Sequence, residues 1–156
     1  MNRSSFITSR LKEVLLDGRW IANTNYKEQL LSVNSEQANY KIGNLNTIAA
    51  LTYHVNYYLG GLLKAFETGK LEISDKYSFE APPIGSEADW DKRVNGFLEN
   101  SEKFVSYVGT MDDAVFDQPF VDEKYGTYWR NIEGVIEHSY YHLGQISLIR
   151  KLILTK

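Results

Sequence analysis

Glu137-His138-Ser139-Tyr140-Tyr141-His142-Leu143-Gly144-Gln145 lies in an apolar-periodic run near the C-terminus, and its reading decides the fold. Four residues of α-helix rise about 6 Å and turn about 400°, so His138 and His142 project from one face, close enough to share an ion. Val135, Ile146, Ile149 and Ile153 continue the same stripe, which turns both histidines toward a core. The third histidine, His54, sits upstream beside Val55, at the edge of a second stripe made by Ile48, Thr52, Val55, Leu59, Leu62 and Phe66. The expectation is that the three histidines converge on one divalent metal inside a helical bundle.

Working outward, the chain offers four long amphipathic patterns. Ile7, Leu11, Val14 and Leu15 predict a first helix over 5–16, ended by Asp17-Gly18. Between 18 and 44 two short capped turns are expected, around Asn25-Tyr26-Lys27-Glu28 and Ser35-Glu36-Gln37-Ala38. The second helix, capped by Asn44 or Asn46, runs to about Thr68, where Gly69 stops it. Gly60-Gly61 in its interior costs about 1 kcal/mol per glycine relative to alanine, which points to close approach by another helix or a ligand. The connector over 70–85 carries Pro82-Pro83, with Tyr77 and Phe79 as anchors onto the bundle. Ser86-Glu87-Ala88-Asp89 reads as a capping box with aspartate replacing glutamate, opening a third helix with Trp90, Val94, Phe97, Leu98, Ser101, Phe104, Val105 and Val108 on one face. Gly109 closes it, and two short extended pieces are expected around the acidic turn Asp122-Glu123-Lys124-Tyr125-Gly126. The fourth helix starts between Thr127 and Asn131. Four amphipathic helices with little strand signal predict an all-α four-helix bundle with long connectors, one domain over 1–156. Connector length leaves the topology open.

Composition removes whole classes of function. The 156 residues contain no cysteine, so disulfides, cysteine-based zinc sites and a protein thiol nucleophile are excluded, and thiol chemistry would need a thiol from outside. A net charge of -3, from 17 basic against 20 acidic residues, offers no basic excess for a phosphate backbone, so no nucleic-acid partner is expected. The N-terminus lacks a secretory pattern and no apolar run approaches the roughly 20 residues that span a bilayer, which predicts a cytoplasmic protein without a membrane partner. Trp20, Tyr26, Tyr57, Tyr58, Tyr128 and Trp129 are candidates for pocket walls or core.

Neutral imidazole is the commonest metal-ligating side chain, and three histidines leave one coordination position open, the pattern of a catalytic rather than a closed structural site. Zinc or nickel are the first expectations, iron or manganese the next. A metalloprotease is excluded, because the residue after the first histidine of the pair is Ser139 where that chemistry needs a glutamate base. Gly134, one turn before His138, leaves room above an ion. Gln145 can hydrogen-bond a ligand or a neighbouring helix. Tyr58, at i+4 from His54, with Glu133 and Glu137, are candidates for supporting or acid-base roles.

His54 together with the 137–145 stretch resembles the DinB-like superfamily of metal-binding four-helix bundles. More closely, Asp17-Gly18-Arg19-Trp20-Ile21-Ala22-Asn23, Asn44-Leu45-Asn46-Thr47-Ile48-Ala49-Ala50-Leu51 and Tyr125-Gly126-Thr127-Tyr128-Trp129-Arg130-Asn131 look like an uncharacterised bacterial branch of it. The resemblance implies one divalent ion on His54, His138 and His142, an up-down-down-up bundle and a homodimer. It also implies either transfer or isomerisation with a low-molecular-weight thiol or a hydrolase activity. Three readings therefore stand open. One is a metal-dependent S-transferase in which a small thiol loses its proton at the ion and attacks an electrophilic small molecule; the same site with water gives a hydrolase. Another is a non-catalytic module holding an ion or small ligand, and the last a purely structural metal.

Overall fold

The computed structural model describes residues 2–155. Every regular element is helical: α1 (Arg3–Lys12), α2 (Tyr26–Leu31), α3 (Ser35–Asn39), α4 (Ile48–Thr68), α5 (Glu87–Gly109) and α6 (Tyr128–Leu154). No strand forms among the described residues, and no helix is long and apolar enough to cross a membrane. The extended pieces expected around 122–126 reduce to an isolated bridge between Pro119 and Thr127, and the acidic stretch makes a single 3-10 turn, Glu123–Tyr125. Asp122 stabilises that turn by accepting a hydrogen bond from the Lys124 backbone N–H, which competes with any ladder.

Helix boundaries follow side-chain caps. The Asn2 side chain accepts from Ser5 N–H, so α1 begins at Arg3, two residues before the apolar stripe indicates. Its last turn, Glu13–Asp17, is π-helical, and the chain leaves through Gly18 in extended rather than left-handed backbone. Glycine is required there by proximity, because a Cβ would overlap the Glu13 backbone. Asn34, not Ser35, caps α3 in a full capping box with Gln37. Thr47, rather than Asn44 or Asn46, caps α4. Ser86 caps α5, but the shorter Asp89 reaches back to the Gly85 N–H, so the box expected there is modified. Thr127 caps α6, within the expected range.

The apolar stripes meet in one core that includes Ile7 and Leu11 of α1, Leu51 and Leu59 of α4, Trp90, Phe97 and Phe104 of α5, and Ile132, Ile136 and Ile146 of α6. α1 packs on α5 and α6, and α4 also packs on α5 and α6. Between α4 and α5 the Arg93 guanidinium donates to the Ala49 carbonyl, Asn100 to Asn56 and the Tyr107 hydroxyl to the Phe66 carbonyl. Residue numbers rise together along this seam, so these two helices run the same way. α6 runs opposite to α4, with Tyr128 on Phe66 and His138 and His142 on His54. It runs with α1, as Arg3 over Trp129 and Tyr140 on Glu13 show.

The close approach expected at Gly60-Gly61 comes from the protein itself. A Cβ at Gly61 would overlap Ile73 of the connector, while one at Gly60 would stand 3.3 Å from Asn100 Nδ2 of α5. Tyr57 holds the same connector from below, donating to the Ser74 carbonyl and accepting from the Ser74 N–H. The connector is thereby pinned along α4, one turn beyond His54.

Candidate metal centre

α4 and α6 deliver the three histidines to one point. Because the helices run antiparallel, His54 of α4 meets the His138/His142 face of α6, with ring centroids 4.9 and 4.7 Å away. The two α6 rings lie 4.5 Å apart, as i, i+4 spacing requires. One nitrogen from each ring falls within 4.8 Å of the others, close enough to bind a metal ion. His54 Nε2 and His138 Nε2 are 3.0 Å apart. Tetrahedral ligand nitrogens with metal–nitrogen bonds of 2.0–2.1 Å stand about 3.3 Å from one another, so this pair already has nearly the required spacing. Among the described residues neither a carboxylate nor a fourth histidine joins the cluster.

The surroundings hold the rings neutral. Burial lowers the pKa of all three, and for His138, which also feels His142 and His54, the value falls to about 4. Neutral imidazole is the ligating form. At His142 the Gln145 side chain opposes the shift, its Oε1 lying 2.6 Å from Nδ1. An amide oxygen only accepts, so Nδ1 carries the proton and Nε2 presents its lone pair to the cluster. Among the described residues the hydrogen-bond partner of the Gln145 side chain is therefore a histidine of its own helix. His54 Nδ1 is buried with no hydrogen-bond partner, although the Ser78 backbone acts on the ring in the direction that favours its proton. A buried polar atom in that state costs stability, and it is not the nitrogen that faces the other two rings.

Aromatic rings wall the cluster. Phe79 stacks on His54 at 4.0 Å between centroids and 10° between planes, so this connector anchor seats on the site itself. Tyr77 is no anchor; it is exposed beneath Lys76. Tyr58 stands edge-on to His54 and His138, and its hydroxyl donates to Asp75 Oδ1 at 2.6 Å. Beside the cluster opens a cavity of about 680 Å³, into which His138, Tyr58, Asp75, Arg130, Asn131 and Gly134 all face.

Of the supporting residues expected from spacing, Tyr58 and Gly134 line this cavity and Gln145 touches a histidine. Glu137 does neither: it is exposed and paired with Arg130 at 3.0 Å, because position 137 falls outside the inward stripe. Glu133 faces Arg10 across the α1 seam. Of the aromatic candidates only Tyr58 lines the cavity. Tyr26 is core, Tyr57 pins the connector, Tyr128 packs on Phe66 and Phe120, Trp129 packs on Phe116, and Trp20 is 88% exposed. Asp75 and Arg130 were not anticipated. Arg130 carried a signal, since it precedes Gly134 and His138 by four and eight residues on one helix face; Asp75, in an aperiodic connector, carried none.

No family model, no curated protein and no solved structure matches this chain.

Proposed function

We propose that the chain is a divalent-metal enzyme on a DinB-like four-helix bundle of up-down-down-up topology, and that it transfers a small external thiol to an electrophilic small molecule. The observation that carries the enzyme reading is the coincidence of three neutral, convergent imidazoles with an adjoining cavity of about 680 Å³, within the range of small-molecule sites. The bundle reading is supported by the ring of seams joining α1, α5, α4 and α6 and by the parallel run of α4 with α5. The thiol rests on the resemblance and on a chain without cysteine.

His54, His138 and His142 would hold the ion, with zinc or nickel best suited to an all-imidazole set. When bound, such an ion supplies Lewis acidity that lowers the pKa of a thiol or water. Gln145 fixes the tautomer and orientation of His142, and Phe79 and Tyr58 shield the other two rings. Asp75, already accepting from Tyr58, is the carboxylate placed in the cavity to take a proton from the incoming nucleophile. The same carboxylate would serve water, which makes a hydrolase the second reading.

The test begins with elemental mass spectrometry on untagged protein, with His54→Ala and His142→Ala beside it. About one equivalent of metal is expected in the wild type and none in either variant, with helicity retained. Thiol conjugation by the metal-loaded protein, lost in His138→Ala, is the expected activity. Hydrolysis without thiol conjugation would move the assignment to the second reading. Absence of metal uptake on adding zinc, nickel or manganese would overturn both.

A further inference from the structure

Resting on the metal-centre reading, we infer that the substrate of this cavity carries a carboxylate, received by Arg130 about one helical turn from the histidine cluster. Among the described residues Arg130 is the one lysine or arginine facing the cavity. Its Nη1 lies 3.8 Å from where a Cβ on Gly134 would stand, so the guanidinium is folded along α6 to the level of residue 134. From there to His138 is four residues, about 6 Å along the helix axis. Gly134 has no side chain to fill the space alongside that path.

The guanidinium is held but not saturated. Its one ion pair, Nη1 to Glu137 Oε2, lies at the surface with both side chains about 60% exposed, a kind of pair that contributes little. Among the described residues Nε and Nη2 have no hydrogen-bond partner, which leaves a planar edge of the fork for a bidentate carboxylate. Leu62, Ile73 and Val135 supply apolar wall for the body of such a molecule. Asp75, the only acidic group facing the cavity among the described residues, forms no ion pair to Arg130 and opposes any anion there, a doubly charged phosphate more than a singly charged carboxylate.

The probes are benzohydroxamate, which binds zinc through its hydroxamate, and its 4-carboxy and 4-phosphono derivatives, titrated calorimetrically into zinc-loaded full-length protein. The carboxy derivative should bind at least about tenfold more tightly than the parent, as one charge-assisted bidentate contact allows. Arg130→Gln should abolish that advantage while the parent's affinity stays the same. Glu137→Gln, by releasing the competing carboxylate, should preserve or enlarge it. An advantage that is missing in the wild type, or that survives Arg130→Gln, overturns the assignment while leaving the metal centre standing. Tighter binding of the phosphono derivative overturns the choice of carboxylate. Failure of the full-length protein to take up zinc overturns the metal centre and this inference together, whereas failure of all three probes to bind the zinc-loaded protein overturns the inference alone.

Discussion

The seam between α1 and α5 and the seam between α4 and α6 are built from the same 3.6-residue apolar periodicity, yet they differ in packing: the first is filled by side chains, with the Thr8 hydroxyl its one buried polar atom lacking a partner among the described residues, and the second opens on a cavity beside three imidazoles. On the first side, Ile7, Leu11, Phe104 and Val108 are fully buried, and the Ser4 hydroxyl is satisfied by the Val108 and Gly109 carbonyls at 3.1 and 2.9 Å. Nearby, Tyr26 stacks on Phe97 and donates to the Ser139 carbonyl, and the Trp90 indole donates to the Val33 carbonyl. On the second side three imidazoles crowd together, His54 Nδ1 has no partner, and a cavity replaces packing. A dry seam gains stability from the apolar surface it buries. The histidine seam buries less apolar surface and crowds three imidazoles close enough to bind a metal ion.

The largest effect should come from the dry side. Phe97→Ala should destabilise the protein by about 3–5 kcal/mol in denaturant titration, through lost burial and a cavity beneath Tyr26, while metal stoichiometry per folded molecule stays the same. A parallel loss of metal would show that the two seams are not independent. Next, zinc at about one hundred times its dissociation constant should add about 2.7 kcal/mol to wild-type stability and nothing to His142→Ala. Equal stabilisation of both proteins would place the ion elsewhere.

Gln145→Leu keeps the size of the side chain but removes the acceptor on His142 Nδ1, and should weaken metal binding by about 10–100-fold in competition titrations. An unchanged affinity would make that contact incidental. Acid should also separate the seams. The three histidines have folded-state pKa values below their ordinary 6.5, so between that pH and about 4 the unfolded chain binds more protons. Their contribution to stability is therefore present above about pH 6.5 and is lost as the pH falls toward 4. The melting temperature of metal-free wild type should drop across that window, and the drop should shrink in His138→Ala. Smallest of all, Tyr26→Phe should cost about 1 kcal/mol, the net worth of one buried hydrogen bond, with metal affinity unchanged.

Much of the helical framework was legible because its signals are local. The stripe through Val135, His138, His142 and Ile146 fixes a helix face whatever surrounds it, and Gly69 does end α4 with left-handed backbone. Boundaries moved where a cap lay outside the apolar stripe, as at Asn2, Asn34 and Thr47. Glu137, a candidate by its nearness in sequence to His138, lies at the surface because one helical step of about 100° separates the two directions.

The sequence by itself determined where the long helices lie, though not their exact ends, that the two histidines of α6 share a face, and that no cysteine takes part. Only the tertiary structure decided that His54 arrives opposite them, that Phe79 lies flat on its ring, and that Asp75 and Arg130 enter one cavity. The reason is physical. A helix face is set by a repeat within one segment, whereas the register between helices and the path of a connector depend on packing summed over residues far apart in the chain, here including Ile73 against Gly61.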